Sequence, residues 1–140
     1  MIELGSTTTL EAWDAEFKPN LTWNHAWGAA PANVISRFVL GVRPIKPGYS
    51  EMLIAPQLGS LKWARGQVPT ALGSVTVNAT NGDTFKLEVS IPQKANVRIE
   101  VPQRATRKVM LDGKPIAATT EGQVFHVDLV EAGKHTIESR

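Results

Sequence analysis

The chain has 140 residues, of which 42% are apolar and 20% charged, with a formal charge of +2 and no cysteine. That length holds one ordinary domain, or a small domain with an appendage, and the apolar share is enough for a core. The composition excludes disulfides, thiolate chemistry and Cys-based metal sites, argues against wholesale disorder, and lacks the basic excess that nucleic acid selects.

Read along the chain, the N-terminal stretch Met1–Gly5 has neither the basic nor the apolar region of a signal peptide. Export would require travel as part of a longer polypeptide. From Ser6 to Trp27 the sequence carries three of its four tryptophans, Trp13, Trp23 and Trp27, with little periodicity. Val34, Ile35, Phe38 and Val39 then recur at three- and four-residue spacings. This predicts a helix from about Ala30 to Leu40, with Pro31 in its first turn, Gly41 as a left-handed cap and Pro44 barring continuation. One broad face of that helix is apolar, so it expects a partner. Residues 42–73 hold eight Pro and Gly residues beyond the cap, interleaved with apolar pieces such as Met52-Leu53-Ile54, and read as an ordered connector with short strands.

From Ser74 the period becomes two. Val75, Val77 and Ala79 alternate with polar residues up to the hairpin signal Asn81-Gly82-Asp83. Phe85 to Ile91, Val97 to Val101, Val109 to Leu111, Val124 to Leu129 and His135 to Ile137 complete about six strands. Short alternating strands at this spacing argue for an antiparallel sandwich. The densest basic stretch, Arg104, Arg107 and Lys108, has no interleaved aromatics and reads as a solvated strand end. No stretch approaches the ~20 apolar residues of a membrane span. The C-terminal half looks able to fold by itself, whereas a Trp-rich loop with one apolar helix resembles a piece of a larger core.

Chemistry concentrates near the start. Thr7-Thr8-Thr9-Leu10-Glu11-Ala12-Trp13-Asp14 sets two carboxylates beside an indole, and Trp23-Asn24-His25-Ala26-Trp27-Gly28 adds an imidazole between two more. Carboxylates beside aromatic platforms suit sugar hydrolysis: the carboxylate activates water or protonates the leaving oxygen, and aromatic faces cover the C–H face of a pyranose. Asn and His provide donors and acceptors for ring hydroxyls. The same residues have plainer readings. Glu11 and Asp14 fit the charged first turn of a helix capped by one of the threonines, His25 a hydrogen-bonded structural residue, and the tryptophans core. His126 and His135, on predicted strands nine apart, lack metal-ligand spacing and read as sheet residues.

Four stretches decide between these readings. Thr8 to Asp14, Asn24 to Gly28 and Leu40 to Tyr49, joined by Ile54-Ala55-Pro56-Gln57-Leu58-Gly59-Ser60-Leu61-Lys62-Trp63-Ala64, resemble the C-terminal region of the bacterial α-L-rhamnosidases of glycoside hydrolase family 78. The resemblance runs from about Gly5 to the end and is specific through residue 70. It implies a mainly β fold, an antiparallel β-sandwich preceded by a loop and one helix left over from an (α/α)6 barrel. Residues 1–43 would form the barrel edge, 44–73 a connector and 74–140 the sandwich, which alternatively begins near 50.

By the same resemblance, Glu11 stands where the family keeps its general base and His25 where a histidine contacts bound rhamnose. Trp13 and Asp14 complete the motif, and Trp23, Asn24 and Trp27 would line or back the pocket. Leu10 departs from the pattern, which has tryptophan there. An inverting hydrolase also needs a general acid ~6.5–9.5 Å from the base, and the family places it far upstream of the matched region. The expectation is a C-terminal fragment of an inverting rhamnosidase that acts on rhamnose-containing glycosides with the missing catalytic barrel and is inactive alone. No metal or organic cofactor, nucleic acid or membrane is implied, and the apolar helix invites self-association. Two alternatives stand beside this: a standalone non-catalytic sandwich for carbohydrate binding or dimerisation, and a subunit completing a barrel supplied by another chain.

Overall fold

A computed structural model describes residues 5, 8–12, 14, 16–22, 25–129 and 131–140. The chain divides into two compact units, Met1–Ile35 and Ser36–Arg140.

The first unit is built from turns. Phe17 N–H donates to the Asp14 carbonyl (3.1 Å) and Leu21 N–H to that of Lys18 (3.0 Å). The helix read at Ala30–Leu40 is shorter and less regular than its spacing suggests. A 3₁₀ turn, Ala26–Ala29, leads into one α-helical turn, α1 (Ala30–Val34), with Pro31 in its first turn and no side-chain cap, and a π-helical turn follows at Ile35–Val39. Val34, Ile35 and Phe38, the apolar spacing that signalled the helix, are all exposed. Periodicity reports which residues share a face, and it does so for a π turn almost as it does for an α turn.

The second unit is a two-sheet sandwich. Its strands are β1 (Val42–Pro44), β2 (Glu51–Ile54), β3 (Trp63–Thr70), β4 (Gly73–Asn81), β5 (Phe85–Ile91), β6 (Asn96–Pro102), β7 (Val109–Leu111), β8 (Lys114–Ile116), β9 (Thr119–Glu121), β10 (Val124–Leu129) and β11 (Gly133–Ser139). One sheet runs β1-β2-β6-β10-β9 and the other β3-β4-β5-β11-β7-β8. The pairings are antiparallel apart from β2 with β6, which are parallel and in register from Glu51↔Asn96 to Ile54↔Ile99. The connector read at 42–73 therefore contributes three strands, one of them eight residues long. The two short strands β8 and β9 bring the strands after Gly73 to more than the six read from alternation.

Alternation does set the inward face. Val75, Val77 and Ala79 of β4, Phe85, Leu87, Val89 and Ile91 of β5, Val97, Ile99 and Val101 of β6, and Ile137 of β11 are buried in one core with Met52 and Ile54. Each such side chain contributes about 1.5–3 kcal/mol by leaving water. Gly41 has the expected left-handed backbone (φ 77°), and a Cβ there would lie 2.2 Å from the Ala55 carbonyl carbon. Glycine at 41 thus meets two demands, backbone handedness and close approach to the chain beyond β2.

Candidate functional site

Glu11 is the centre of the first unit. Its side chain is 3% exposed, and both carboxylate oxygens are engaged. Oε2 accepts from the Thr22 backbone N–H (2.9 Å) and the Thr22 hydroxyl (3.0 Å). Oε1 is paired directly with the Lys18 ammonium, and the His25 Nε2 lies 3.4 Å away. The described residues around Glu11 are not helical, so the first-turn reading of this carboxylate fails.

The Lys18 ammonium, reinforced by both Thr22 donors, outweighs local desolvation and holds the Glu11 carboxyl down at about 2, from an ordinary value of 4.5. The bonds from Lys18 and Thr22 thus favour the ionised form of Glu11.

His25 is fixed by the turn it starts. As N-cap of the 3₁₀ turn, its Nδ1 accepts from the Trp27 backbone N–H (3.4 Å). An accepting Nδ1 leaves the proton of the neutral ring on Nε2, the nitrogen that faces Glu11. The imidazole also lies against the Trp27 indole, with centroids 4.2 Å apart, and the Lys18 ammonium sits 5.2 Å from that ring centroid. The turn can lie close to the Glu11 strand of chain because residue 28 is glycine. A Cβ at Gly28 would lie 2.3 Å from the Thr9 carbonyl oxygen, and the Thr9 hydroxyl donates to the Gly28 carbonyl.

The structure thus brings Glu11, His25 and Trp27 together, three of the residues singled out in the sequence. Asp14 is apart from them: it is exposed, and its Oδ1 accepts from the Glu16 N–H (3.2 Å) at a turn. Trp13, Trp23 and Asn24 lie outside the described residues. Lys18 and Thr22 were missed. Lys18 did carry a signal, since it is the lone Lys or Arg before Arg37 and follows Glu3, Glu11, Asp14 and Glu16. Thr22 carried none, because its part depends on a chain reversal.

His126 and His135 are sheet residues. His126 Nδ1 lies 3.4 Å from Glu100, and His135 Nδ1 lies 2.9 Å from Asp112. Among the described residues no group of three or more His, Asp or Glu side chains is arranged to hold a metal ion.

Comparison with known proteins shows which family the chain belongs to. The bacterial α-L-rhamnosidase C-terminal domain family matches residues 41–115, more than half of the chain. The chain belongs to that family. Over 105 residues it is 36% identical to the α-L-rhamnosidase of Alteromonas sp. (strain LOR), a match covering 65% of this chain and 11% of that protein. Among solved structures, its fold is similar to that of α-L-rhamnosidase from Dictyoglumus thermophilum (TM-score 0.82, 22% identity), covering all of this chain and 17% of that one. It is also similar to the Streptomyces avermitilis α-L-rhamnosidase complexed with L-rhamnose (TM-score 0.73, 24% identity, 99% of this chain and 14% of that one). The family chain described here therefore spans between about a tenth and a sixth of the length of these relatives.

Proposed function

We propose that the chain is the C-terminal portion of an inverting α-L-rhamnosidase and supplies that enzyme's general base, Glu11. The observation that carries this is the shielded Glu11 carboxylate beside an imidazole and an exposed indole. In this reading a water molecule docks on Oε1 and attacks the anomeric carbon as the glycosidic bond breaks. The water's proton passes to Glu11, and the leaving oxygen takes a proton from a general acid outside these 140 residues. Residues 1–43 would then be the edge of the (α/α)6 catalytic barrel, which binds the rhamnoside.

The roles of the neighbours follow from their bonds. Thr22 fixes the carboxylate plane through Oε2, leaving Oε1 for water. Lys18 occupies Oε1 in this chain, so it has to share that oxygen or swing aside when water binds. His25 presents an N–H donor next to the same oxygen, where it can meet a sugar hydroxyl, and Trp27 offers an apolar face for the ring.

Without the general acid, and without most positioning contacts, the isolated chain lacks roughly 10²–10⁴-fold of rate from proton donation alone. It should release no nitrophenol from an aryl α-L-rhamnoside above the level of a Glu11→Gln variant; family-like turnover by the isolated chain would overturn this reading. The self-contained core of residues 36–140 favours a second reading, in which the sandwich acts alone as a non-catalytic module. The intact mass of the native product separates the two: one several times 15.2 kDa fits the first, and one near 15.2 kDa the second.

A further inference from the structure

The outer face of the six-stranded sheet carries side chains that neither the core nor the Glu11 cluster uses. On β3 the burial alternates so that Trp63, Arg65 and Gln67 point outward, and Trp63 is 59% exposed. The registers align these residues in rows across the sheet. Trp63 stands opposite Thr80, then Lys86 and Glu138; Arg65 opposite Asn78, then Glu88 and Thr136; Gln67 opposite Thr76, then Ser90 and Lys134. Four strands at about 4.8 Å spacing and three rows about 7 Å apart make a flat field roughly 14 Å on each side. That is the footprint of a few sugar rings.

The chemistry of the field narrows its ligand. Tryptophan is enriched at binding surfaces because its ring is apolar and its N–H polar, and Trp63 leaves most of its ring in water. The Arg65 guanidinium lies 5.5 Å from the Trp63 ring centroid, which holds the indole in place on one side. Part of the charge nearby is paired: Lys86 with Glu88 (2.6 Å), and Arg140 with Glu138 (2.6 Å). The rows mix three cations, Arg65, Lys86 and Lys134, with the carboxylates Glu88 and Glu138, so they offer a polyanion no stripe of one sign. What remains is an aromatic platform set among amides and hydroxyls, Asn78, Thr80, Gln67 and Thr76, with the Asn78 amide held by Glu88 (2.7 Å) and the Gln67 amide by Thr76 (3.4 Å). An apolar ring face bordered by neutral donors and acceptors at fixed spacing matches a hydroxylated pyranose, which has an apolar C–H face and an equatorial rim of O–H groups.

We propose that this face is a binding site for a neutral oligosaccharide chain, with Trp63 stacking on one sugar ring and Asn78, Thr80 and Gln67 meeting hydroxyls of that ring and its neighbours. The site lies within the second unit and does not depend on the catalytic reading of Glu11.

The test is titration of the ¹⁵N-labelled chain with an α-L-rhamnosyl disaccharide and with two neutral hexasaccharides, cellohexaose and mannohexaose. The readouts are amide shifts and tryptophan fluorescence. Saturable binding of at least one of them, with shifts confined to residues 63–67, 76–80 and 86–90, is expected. Trp63→Ala should weaken it about tenfold or more, since it removes both stacking and buried area. Asn78→Ala serves as a second variant should Trp63→Ala alter the fold. Glu11→Gln should bind like the parent chain, which separates failure of this site from failure of the catalytic proposal. The inference is overturned by no saturable binding of any of the three at millimolar concentration, by shifts centred elsewhere, by unchanged affinity in both face variants, or by a Trp63-dependent dimer in sedimentation that excludes the sugars.

Discussion

Gly41→Ala tests how the sandwich is closed where the chain enters it. Two costs add at this position. An alanine at φ 77° costs ~1–2 kcal/mol relative to glycine, because its Cβ crowds the carbonyl. The same Cβ would lie 2.2 Å from the Ala55 carbonyl carbon and 2.4 Å from Pro56 N, both backbone atoms that no rotamer change can move. Relief requires shifting residues 55 and 56 away, which breaks the bond from Ala55 N–H to the Gly41 carbonyl (3.0 Å) and strains the Val42↔Ile54 register. The lost bond adds about 1 kcal/mol, so the sum is about 2–3 kcal/mol.

For a domain of about a hundred residues that corresponds to a fall in Tm of roughly 10–20 °C. Gly113 provides the control: its backbone is equally left-handed (φ 77°), but a Cβ there would meet nothing within 4 Å. Gly113→Ala should cost only the backbone part, about 1–2 kcal/mol. Urea unfolding followed by tryptophan fluorescence compares the two. Equal losses from both substitutions would refute the close-approach argument and leave only handedness.

Other outcomes follow from single contacts. Lys18→Met removes the main cause of the depressed Glu11 carboxyl, so its titration midpoint, read from the side-chain ¹³C shift, should rise from about 2 toward 4.5; an unmoved midpoint would mean that Thr22 alone holds it. Because that carboxyl is depressed in the folded state, its contribution to the first unit is complete above about pH 4.5 and is lost as pH falls toward 2, so amide shifts of Thr22 should report loosening only in that acid window. Leu87→Ala in the fully buried centre of β5 should cost about 2–5 kcal/mol in denaturant unfolding, whereas Trp63→Ala, on the exposed face, should change stability by no more than about 0.5 kcal/mol. Asp112→Ala should destabilise by about 1 kcal/mol at neutral pH, through loss of the bond from Thr136 N–H (2.7 Å) and the contact with His135, and the difference from the parent should shrink as pH drops below the ordinary aspartate range.

The sequence made some of this architecture legible and concealed the rest for physical reasons. Strands β4, β5, β6 and β10 have one face on the core and one in solvent, so apolar and polar residues alternate and period two is visible. Strand β3 breaks that rule. Trp63 faces water, Gly66 occupies an inward position and Pro69 sits near its end, so an eight-residue strand reads as connector. Proline is tolerated there because β3 is an edge strand with no ladder partner on its outer side. Strands β8 and β9 have three residues each and bury little, which leaves alternation nothing to record. The parallel pairing of β2 with β6 joins segments more than forty residues apart, and local pattern carries no such information.

At the site, the family resemblance singled out Glu11, His25 and Trp27, and the fold brings them together. Asp14 shares the motif but serves a turn, because two or three residues of non-helical chain are enough to aim a side chain elsewhere. Lys18 and Thr22 reach Glu11 only through the reversals at residues 14–21, a tertiary fact with a faint trace in the charge pattern.

The proposed role of Glu11 as the base of an inverting rhamnosidase is tested most directly by Glu11→Gln in a polypeptide that joins this chain to a rhamnosidase catalytic region. With an aryl α-L-rhamnoside, kcat should fall roughly 10²–10⁴-fold while KM changes little. Added azide, which needs no base, should restore turnover and yield the rhamnosyl azide of inverted configuration. Activity within a few-fold of the parent enzyme, or an azide product of retained configuration, would contradict the assignment of Glu11.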